Sequence, residues 1–132
     1  MEVRCDLARI IITETSEEQF IWLRERDGER TFAIVIGPFE ATAIDRRLKG
    51  HPVARPITHD LLASVIEQMG GELEKIVLND LRNGIFFAKI VIRHGGQLIE
   101  VDSRPSDAIA VGVAGDVAIY VEDHVLNEAS KQ

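Results

Sequence analysis

The chain has 132 residues, of which 45% are hydrophobic and 28% charged, and its one cysteine is Cys5. These values are typical of one globular domain, and they exclude a disordered chain, a disulfide framework and a multi-cysteine metal cage. Its 22 acidic and 15 basic residues give a formal net charge of −7, which argues against passive coating of nucleic acid by charge alone. Any activity on nucleic acid therefore needs a local basic patch or a bridging cation.

The sequence carries no sign of export or of a membrane span. No basic segment leads into an apolar run with a small-residue cleavage site, and no stretch of about 18 apolar residues occurs. We therefore expect a cytoplasmic protein that has no membrane partner.

The first 37 residues have the pattern of β-strands, and a helix follows them. Asp27-Gly28 predicts a hairpin because both residues tolerate a positive φ. Gly37-Pro38 ends the third strand and opens the helix, since proline suits the first helical position. The predicted elements are strands over Val3–Thr13, Phe20–Arg26 and Thr31–Ile36, a turn at residues 15–17, and a helix from Pro38 that ends at Gly50, with Phe39, Ala43, Ile44 and Leu48 on one apolar face.

The rest of the chain predicts a second helix, a hairpin with a further strand, and two helices around a last strand. Thr58 is a good N-cap for the second helix, and Asn83-Gly84 is the strongest hairpin signal in the chain. The predicted elements are a helix from Thr58 to Gly70, with Leu61, Leu62, Val65, Ile66 and Met69 buried, strands over Leu73–Leu81, Ile85–Arg93 and Leu98–Asp102, a helix over Pro105–Ala114, a strand over Val117–Val121 and a terminal helix over Asp123–Ala129.

Seven strands joined mostly by tight turns, together with three or four helices, predict a single α+β domain over residues 1–132. Its sheet should be mixed or largely antiparallel. Only residues 48–57 look like a loop, and no segment has the composition of a linker between domains. An exposed sheet edge in so small a domain favours a homodimer or a higher oligomer.

Two helix starts share the pattern of Arg-Pro, a hydroxyl and an acid. They are RPITHD at residues 55–60 and RPSD at residues 104–107. Capping explains the proline, the hydroxyl and the acid, because these residues suit a first helical turn. It explains the arginines less well, since a cation near a helix N-terminus opposes the dipole. Each arginine therefore predicts an anionic partner, either a carboxylate in a structural salt bridge or a bound phosphate.

Acidic residues at the helix starts suggest a second chemistry. Glu40, Asp60 and Asp107 lie in first turns, and Asp102 ends the strand before the third helix. If these helix starts converge, the carboxylates could hold a divalent cation such as Mg²⁺ or Mn²⁺, which activates water and neutralises a phosphodiester. Acids are also common in first turns that bind nothing. His59 could serve as general base or ligand, or be an exposed first-turn histidine.

Three stretches together resemble signature segments of the bifunctional nuclease domain family. They are GPFEA at residues 37–41, RPITHDLL at residues 55–62 and DSRPSDAIA at residues 102–110, with NGIFFA at 83–88 and IYV at 119–121. The resemblance extends to about residue 129, and it implies an α+β domain that cleaves both RNA and DNA. By position it implies the candidate site residues Glu40, His59, Asp60, Asp102, Arg104, Ser106 and Asp107.

The leading interpretation is a nuclease that hydrolyses phosphodiester bonds of RNA or DNA with a divalent cation. The predicted catalytic residues are His59, Asp60, Asp102 and Asp107, the phosphate-binding residues are Arg55, Arg104 and Ser106, and the metal ligands are Glu40, Asp60 and Asp107. Two alternatives stay open. One is a non-catalytic binding or assembly module whose Arg-Asp pairs are structural salt bridges, and the other is a sensor of a small phosphorylated ligand.

Overall fold

The computed structural model describes residues 1–13, 15 and 18–131, and within them the chain forms one seven-stranded sheet and four α-helices. The strands are β1 (Glu2–Ile11), β2 (Gln19–Glu25), β3 (Thr31–Ile36), β4 (Glu72–Arg82), β5 (Ile85–His94), β6 (Gln97–Ser103) and β7 (Ile119–Glu122). The helices are α1 (Pro38–Lys49), α2 (Thr58–Gln68), α3 (Pro105–Gly112) and α4 (Asp123–Ser130). The predicted single α+β domain is confirmed, whereas the predicted turn at residues 15–17 lies outside the described residues except for Thr15.

The sheet is mixed, with the strand order β3-β2-β1-β7-β4-β5-β6. β7 runs antiparallel to β1 and parallel to β4, and the other neighbouring pairs are antiparallel. The β4–β5 hairpin turns at Asn83 and Gly84, whose φ angles of 51° and 78° are those of the predicted tight turn. β3 and β6 are the two edges of the sheet, and each leads directly into a helix.

The core lies between the sheet and the helices. Alternate strand residues such as Ile76 and Leu78 in β4 are fully buried, because successive side chains of a strand point to opposite faces. They pack in one cluster with α3 and with Ile44 of α1. Phe32 in β3 stacks on Phe86 in β5 with 5.6 Å between ring centroids. The sheet therefore curls enough to bring α1, which follows β3, close to the start of β5.

Two predicted helix faces are wrong in part. In α1, Ala41 and Ile44 are buried, but Phe39 is 87% exposed and Leu48 is also exposed. In α2 no residue is buried; of the predicted stripe, Leu61, Leu62, Val65 and Met69 are exposed and Ile66 is half-buried. α2 covers only the margin of the sheet, because α3 already occupies the centre of the helical layer and is almost wholly buried. Helical periodicity showed an apolar face without showing what would cover it.

Three predicted element boundaries also shift. Ile57 rather than Thr58 is the N-cap of α2, because Asp60 three residues later accepts the Ile57 N–H at 3.1 Å and so satisfies the helix start. α3 ends at Gly112 and continues as a 3-10 turn over Val113–Gly115. The last strand begins at Ile119 rather than at residue 117. The helices among the described residues are too short to span a bilayer.

We expect replacement of Gly71 by alanine to lower the free energy of unfolding by about 1–3 kcal/mol, through overpacking. A Cβ at this position would lie 2.9 Å from Ile92 Cγ2 and 3.1 Å from the Ile66 backbone oxygen, so α2 would have to move away from β5. Urea unfolding measures the effect. The control is Gly115→Ala, where the nearest atom, in Val117, is 3.8 Å away. Equal stabilities of the two variants would contradict this packing of α2.

Candidate functional site

A cleft of about 1210 Å³ opens where the first turns of α1, α2 and α3 approach β5 and the end of β6. The curl of the sheet brings α1 to this place, and the β5–β6 pairing, in which Lys89 lies opposite Asp102, brings α3. Its charged or titratable lining residues are Glu40, Arg46, His59, Asp102, Arg104 and Asp107. Its apolar lining includes Phe39, Ile57, Leu62, Ile85, Phe87 and Val101.

His59, Asp107 and Arg104 form a connected group inside this cleft. His59 Nε2 lies 2.9 Å from Asp107 Oδ1. Arg104 donates to the same carboxylate, from Nε to Oδ2 at 2.9 Å and from Nη2 to Oδ1 at 3.2 Å. The His59 side chain is 15% exposed, whereas the Arg104 side chain is 64% exposed. The carboxylate thus orients the imidazole from one side, and the guanidinium keeps a large surface open to a ligand.

Glu40 and Asp102 complete the acidic side of the cleft. Glu40 Oε2 lies 3.6 Å from Arg104 Nη1, so this arginine bridges the carboxylates of α1 and α3. Asp102 is exposed at the end of β6, and it also lines the cleft. The anionic partner that the sequence predicts for Arg104 is therefore present, in the form of the Asp107 and Glu40 carboxylates.

The pKa of Asp107 is lowered from its ordinary value. Burial raises this pKa, but the hydrogen bonds from Arg104 and His59 outweigh the burial and favour the charged carboxylate. Asp107 is therefore an anion at neutral pH, where it can accept a ring N–H of His59. This bond leaves Nδ1 as the ring nitrogen without a hydrogen-bond partner among the described residues.

Asp60 has a different environment from the one predicted. Arg46 Nη2 donates to Asp60 Oδ2 at 2.8 Å, Arg47 Nη1 donates to Oδ1, and the N–H of Ile57 also donates to Oδ2. Arg47 in turn donates to the carbonyl oxygens of Ala110 and Val111 at the end of α3, at 2.6 and 3.0 Å. Asp60 therefore connects α1, α2 and α3, next to the cleft but not among its lining residues.

The pKa of Asp60 is also lowered. Burial raises it, and the Ile57 N–H and the guanidinium groups of Arg47 and Arg46 lower it more. These groups satisfy the carboxylate from several sides. Sequence reasoning missed both arginines as partners of Asp60, because basic residues in the last turn of a helix are already explained by its dipole. Their adjacent positions in one last turn were the available signal of a shared acidic partner.

Two predicted phosphate-binding residues do not line the cleft. Arg55 is exposed in the segment before α2, and Ser106 is buried in the first turn of α3, facing a neighbouring hollow. The predicted metal ligands are not assembled either. Among the described residues, no three His, Cys, Asp or Glu side chains form a group that could hold a metal ion. Each carboxylate of the predicted trio instead contacts at least one arginine.

We expect acid to destabilise the protein through these carboxylates. A lowered folded-state pKa stabilises the fold above the unfolded value of about 3.9, and this contribution is lost as the pH falls through the folded-state pKa. Urea unfolding from pH 7 to pH 2.5 should therefore show a steep loss of stability below about pH 4. Asp60→Asn should flatten that loss more than Asp6→Asn does, because the Asp6–Arg26 pair is more exposed to solvent. Equal slopes in both variants would contradict the expectation.

Comparison with known proteins finds similarity over the part of the chain that forms the cleft. The family model of the bifunctional nuclease domain matches residues 21–132. Two uncharacterized proteins of Mycobacterium tuberculosis, one from strain CDC 1551 / Oshkosh and one from strain ATCC 25618 / H37Rv, are each 36% identical to this chain over 120 residues. The aligned region is 91% of this chain and 71% of each relative. The family match includes every element that lines the cleft.

Proposed function

The chain belongs to the bifunctional nuclease domain family, and from this premise we propose that it hydrolyses phosphodiester bonds of RNA or DNA in the cleft at the starts of α1, α2 and α3. One observation carries the proposal: His59 is held by the Asp107 carboxylate, and that carboxylate is shared with the exposed guanidinium of Arg104. This group combines a proton acceptor, an anion that orients it and a cation that faces open solvent.

Hydrolysis needs a base for the attacking water and positive charge for the phosphoryl oxygens. In the proposed reaction, His59 Nδ1 accepts a proton from water while the water oxygen forms a bond to phosphorus. The bond from phosphorus to the leaving oxygen breaks on the opposite side, that oxygen takes a proton from solvent water, and His59 then releases its own proton to solvent. Asp107 stabilises the imidazolium between the two transfers, and Arg104 stabilises the negative charge that develops on the phosphoryl group.

The divalent cation predicted from the sequence stays a prediction. Within the part of the chain that the structure describes, the residues do not fit a site in which three protein side chains hold the metal, so no step of the proposed reaction uses one. Glu40 and Asp102 face the cleft as carboxylates without a catalytic role in this reaction. A chelator distinguishes hydrolysis with a bound cation from hydrolysis without one, because activity that survives EDTA needs no exchangeable cation.

The test is turnover by the purified chain on fluorescently labelled RNA and DNA. We expect cleavage by the native sequence and none by the double variant Arg104→Ala, Asp107→Asn, with both proteins folded by circular dichroism. Cleavage that persists in the double variant would identify a contaminating enzyme and contradict the proposal. Absence of cleavage by the native sequence on every substrate would contradict it as well.

A non-catalytic module is the second candidate, and the Arg104–Asp107 pair supports it. The two residues lie three positions apart in one helix start, where an ion pair can be purely structural. This candidate predicts no turnover and a loss of stability in the double variant. Measuring unfolding together with cleavage therefore distinguishes the two functions.

We also propose a homodimer through strand β6. This edge strand is exposed over nearly its whole length and carries Leu98, Ile99 and Val101, and unpaired apolar edges favour pairing with another strand. Light scattering during size exclusion should show a dimer, and Ile99→Lys should shift it towards the monomer. A monomer at all concentrations would contradict this.

The cytoplasmic location stays a prediction, which cell fractionation tests.

A further inference from the structure

Phe39 is an aromatic side chain that the fold leaves open. It lies in the first turn of α1 beside Glu40, it is 87% exposed, and it lines the cleft. Among the described residues, no ring stacks on it and no cation lies over it. A phenylalanine in this state contributes little to the core, so its ring is available to a ligand.

The cleft has two chemically different sides. Glu40, His59, Arg104 and Asp107 make one side polar. The other side is apolar, and Ile57, Leu62, Ile85 and Val101 there are each at least 40% exposed. A nucleotide has the same division, because its base has flat apolar faces and its phosphate is anionic.

The charges of the cleft do not suit a long run of phosphates. Glu40, Asp102 and Asp107 face it as carboxylates. Both arginines of the cleft are in ion pairs, but the Arg46 side chain is 16% exposed, whereas that of Arg104 is 64% exposed. Arg104 is therefore the main cation that the described part of the cleft offers to a phosphate, and the net charge of −7 repels a polyanion at longer range. Affinity for nucleic acid must come largely from contacts with a base.

We propose that the cleft binds an unpaired nucleotide whose base stacks on the Phe39 ring, so that the substrates are single-stranded. The inference rests on the proposed function, because it places the phosphate of that nucleotide on Arg104. In a duplex, each base has its faces covered by its neighbours, and only an unpaired or extruded base exposes them. The cleft, at about 1210 Å³, has room for a nucleotide together with part of the adjoining strand.

The test measures binding without cleavage. Fluorescence anisotropy of a labelled single-stranded phosphorothioate oligothymidylate reports the affinity of the full chain, and a duplex of the same length is the competitor. We expect Phe39→Ala to weaken single-strand binding about tenfold, in the range known for loss of one stacked base. Phe39→Trp should retain binding, and Phe39→Leu, which is apolar without a ring, should not.

Met69→Ala is the matched control, because Met69 is 73% exposed and lies outside the cleft lining. The affinity of this variant for the single strand should equal that of the native sequence. Binding should also depend weakly on salt. The slope of the logarithm of the binding constant against the logarithm of the salt concentration should correspond to about one or two phosphate contacts rather than six to ten. Circular dichroism verifies that each variant is folded.

Four results would overturn the inference: no single-strand binding by the native sequence, unchanged affinity in Phe39→Ala, equal affinity for the duplex, or a Phe39→Ala variant that changes oligomeric state instead of affinity. The proposed function fails separately. If the native sequence binds single strands through Phe39 but never cleaves an ordinary oligonucleotide, hydrolysis is wrong and the stacking site is retained. If it cleaves while Phe39→Ala binds normally, the stacking site is wrong and hydrolysis is retained.

Discussion

Replacing Asp60 with alanine is expected to lower the free energy of unfolding by about 3 kcal/mol, the lower end of the range for removing one partner of a buried ion pair. The Asp60 side chain is 18% exposed and that of Arg47 is 9% exposed. The variant would leave the guanidinium groups of Arg46 and Arg47 without their carboxylate, in a place where water reaches them poorly. Chemical denaturation at pH 7 measures the loss.

Asp45→Ala is the control for this prediction. Asp45 and Lys49 form an exposed pair four residues apart in α1, and such pairs contribute about 0.3–0.5 kcal/mol. The two variants remove the same type of side chain, so the difference between them isolates the effect of burial. If Asp60→Ala lowered the free energy of unfolding no more than Asp45→Ala does, the contacts through which Asp60 connects the three helices would not stabilise the fold.

Replacing His59 with alanine is expected to reduce turnover on RNA or DNA by about 10²–10⁴-fold, the usual contribution of a general base. His59 contacts Asp107 in the cleft and does not belong to the hydrophobic core, so the variant should remain folded. Single-turnover cleavage measures the chemical step. His124→Ala is the matched control, because that histidine is 61% exposed beside Asp80 and outside the cleft lining.

Arg104 offers a finer version of the same test. Lysine at this position keeps a positive charge, but it cannot reproduce the two contacts that Arg104 makes with Asp107. We therefore expect Arg104→Lys to recover only part of the turnover that Arg104→Ala loses. A His59→Ala variant with native turnover would remove the base from the proposed reaction, whatever the result at Arg104.

Local signals in the sequence determined the succession of elements. Asn83-Gly84 turned a hairpin because both residues adopt a positive φ, and Pro38 opened α1 because its missing N–H costs nothing at a first helical position. These effects act within a few residues, so the sequence alone carries them. The pairing of Arg104 with Asp107 is local in the same sense, because the two residues share one helix start.

Tertiary structure decided what each element faces. The curl of the sheet placed Glu40 beside Arg104 and left Phe39 at the cleft. The central position of α3 left the apolar stripe of α2 uncovered. Arg47 reached Asp60 and the end of α3 across 13 and more than 60 residues of chain. Such contacts depend on how all the elements pack together, and the periodicity or spacing within one segment does not contain that information.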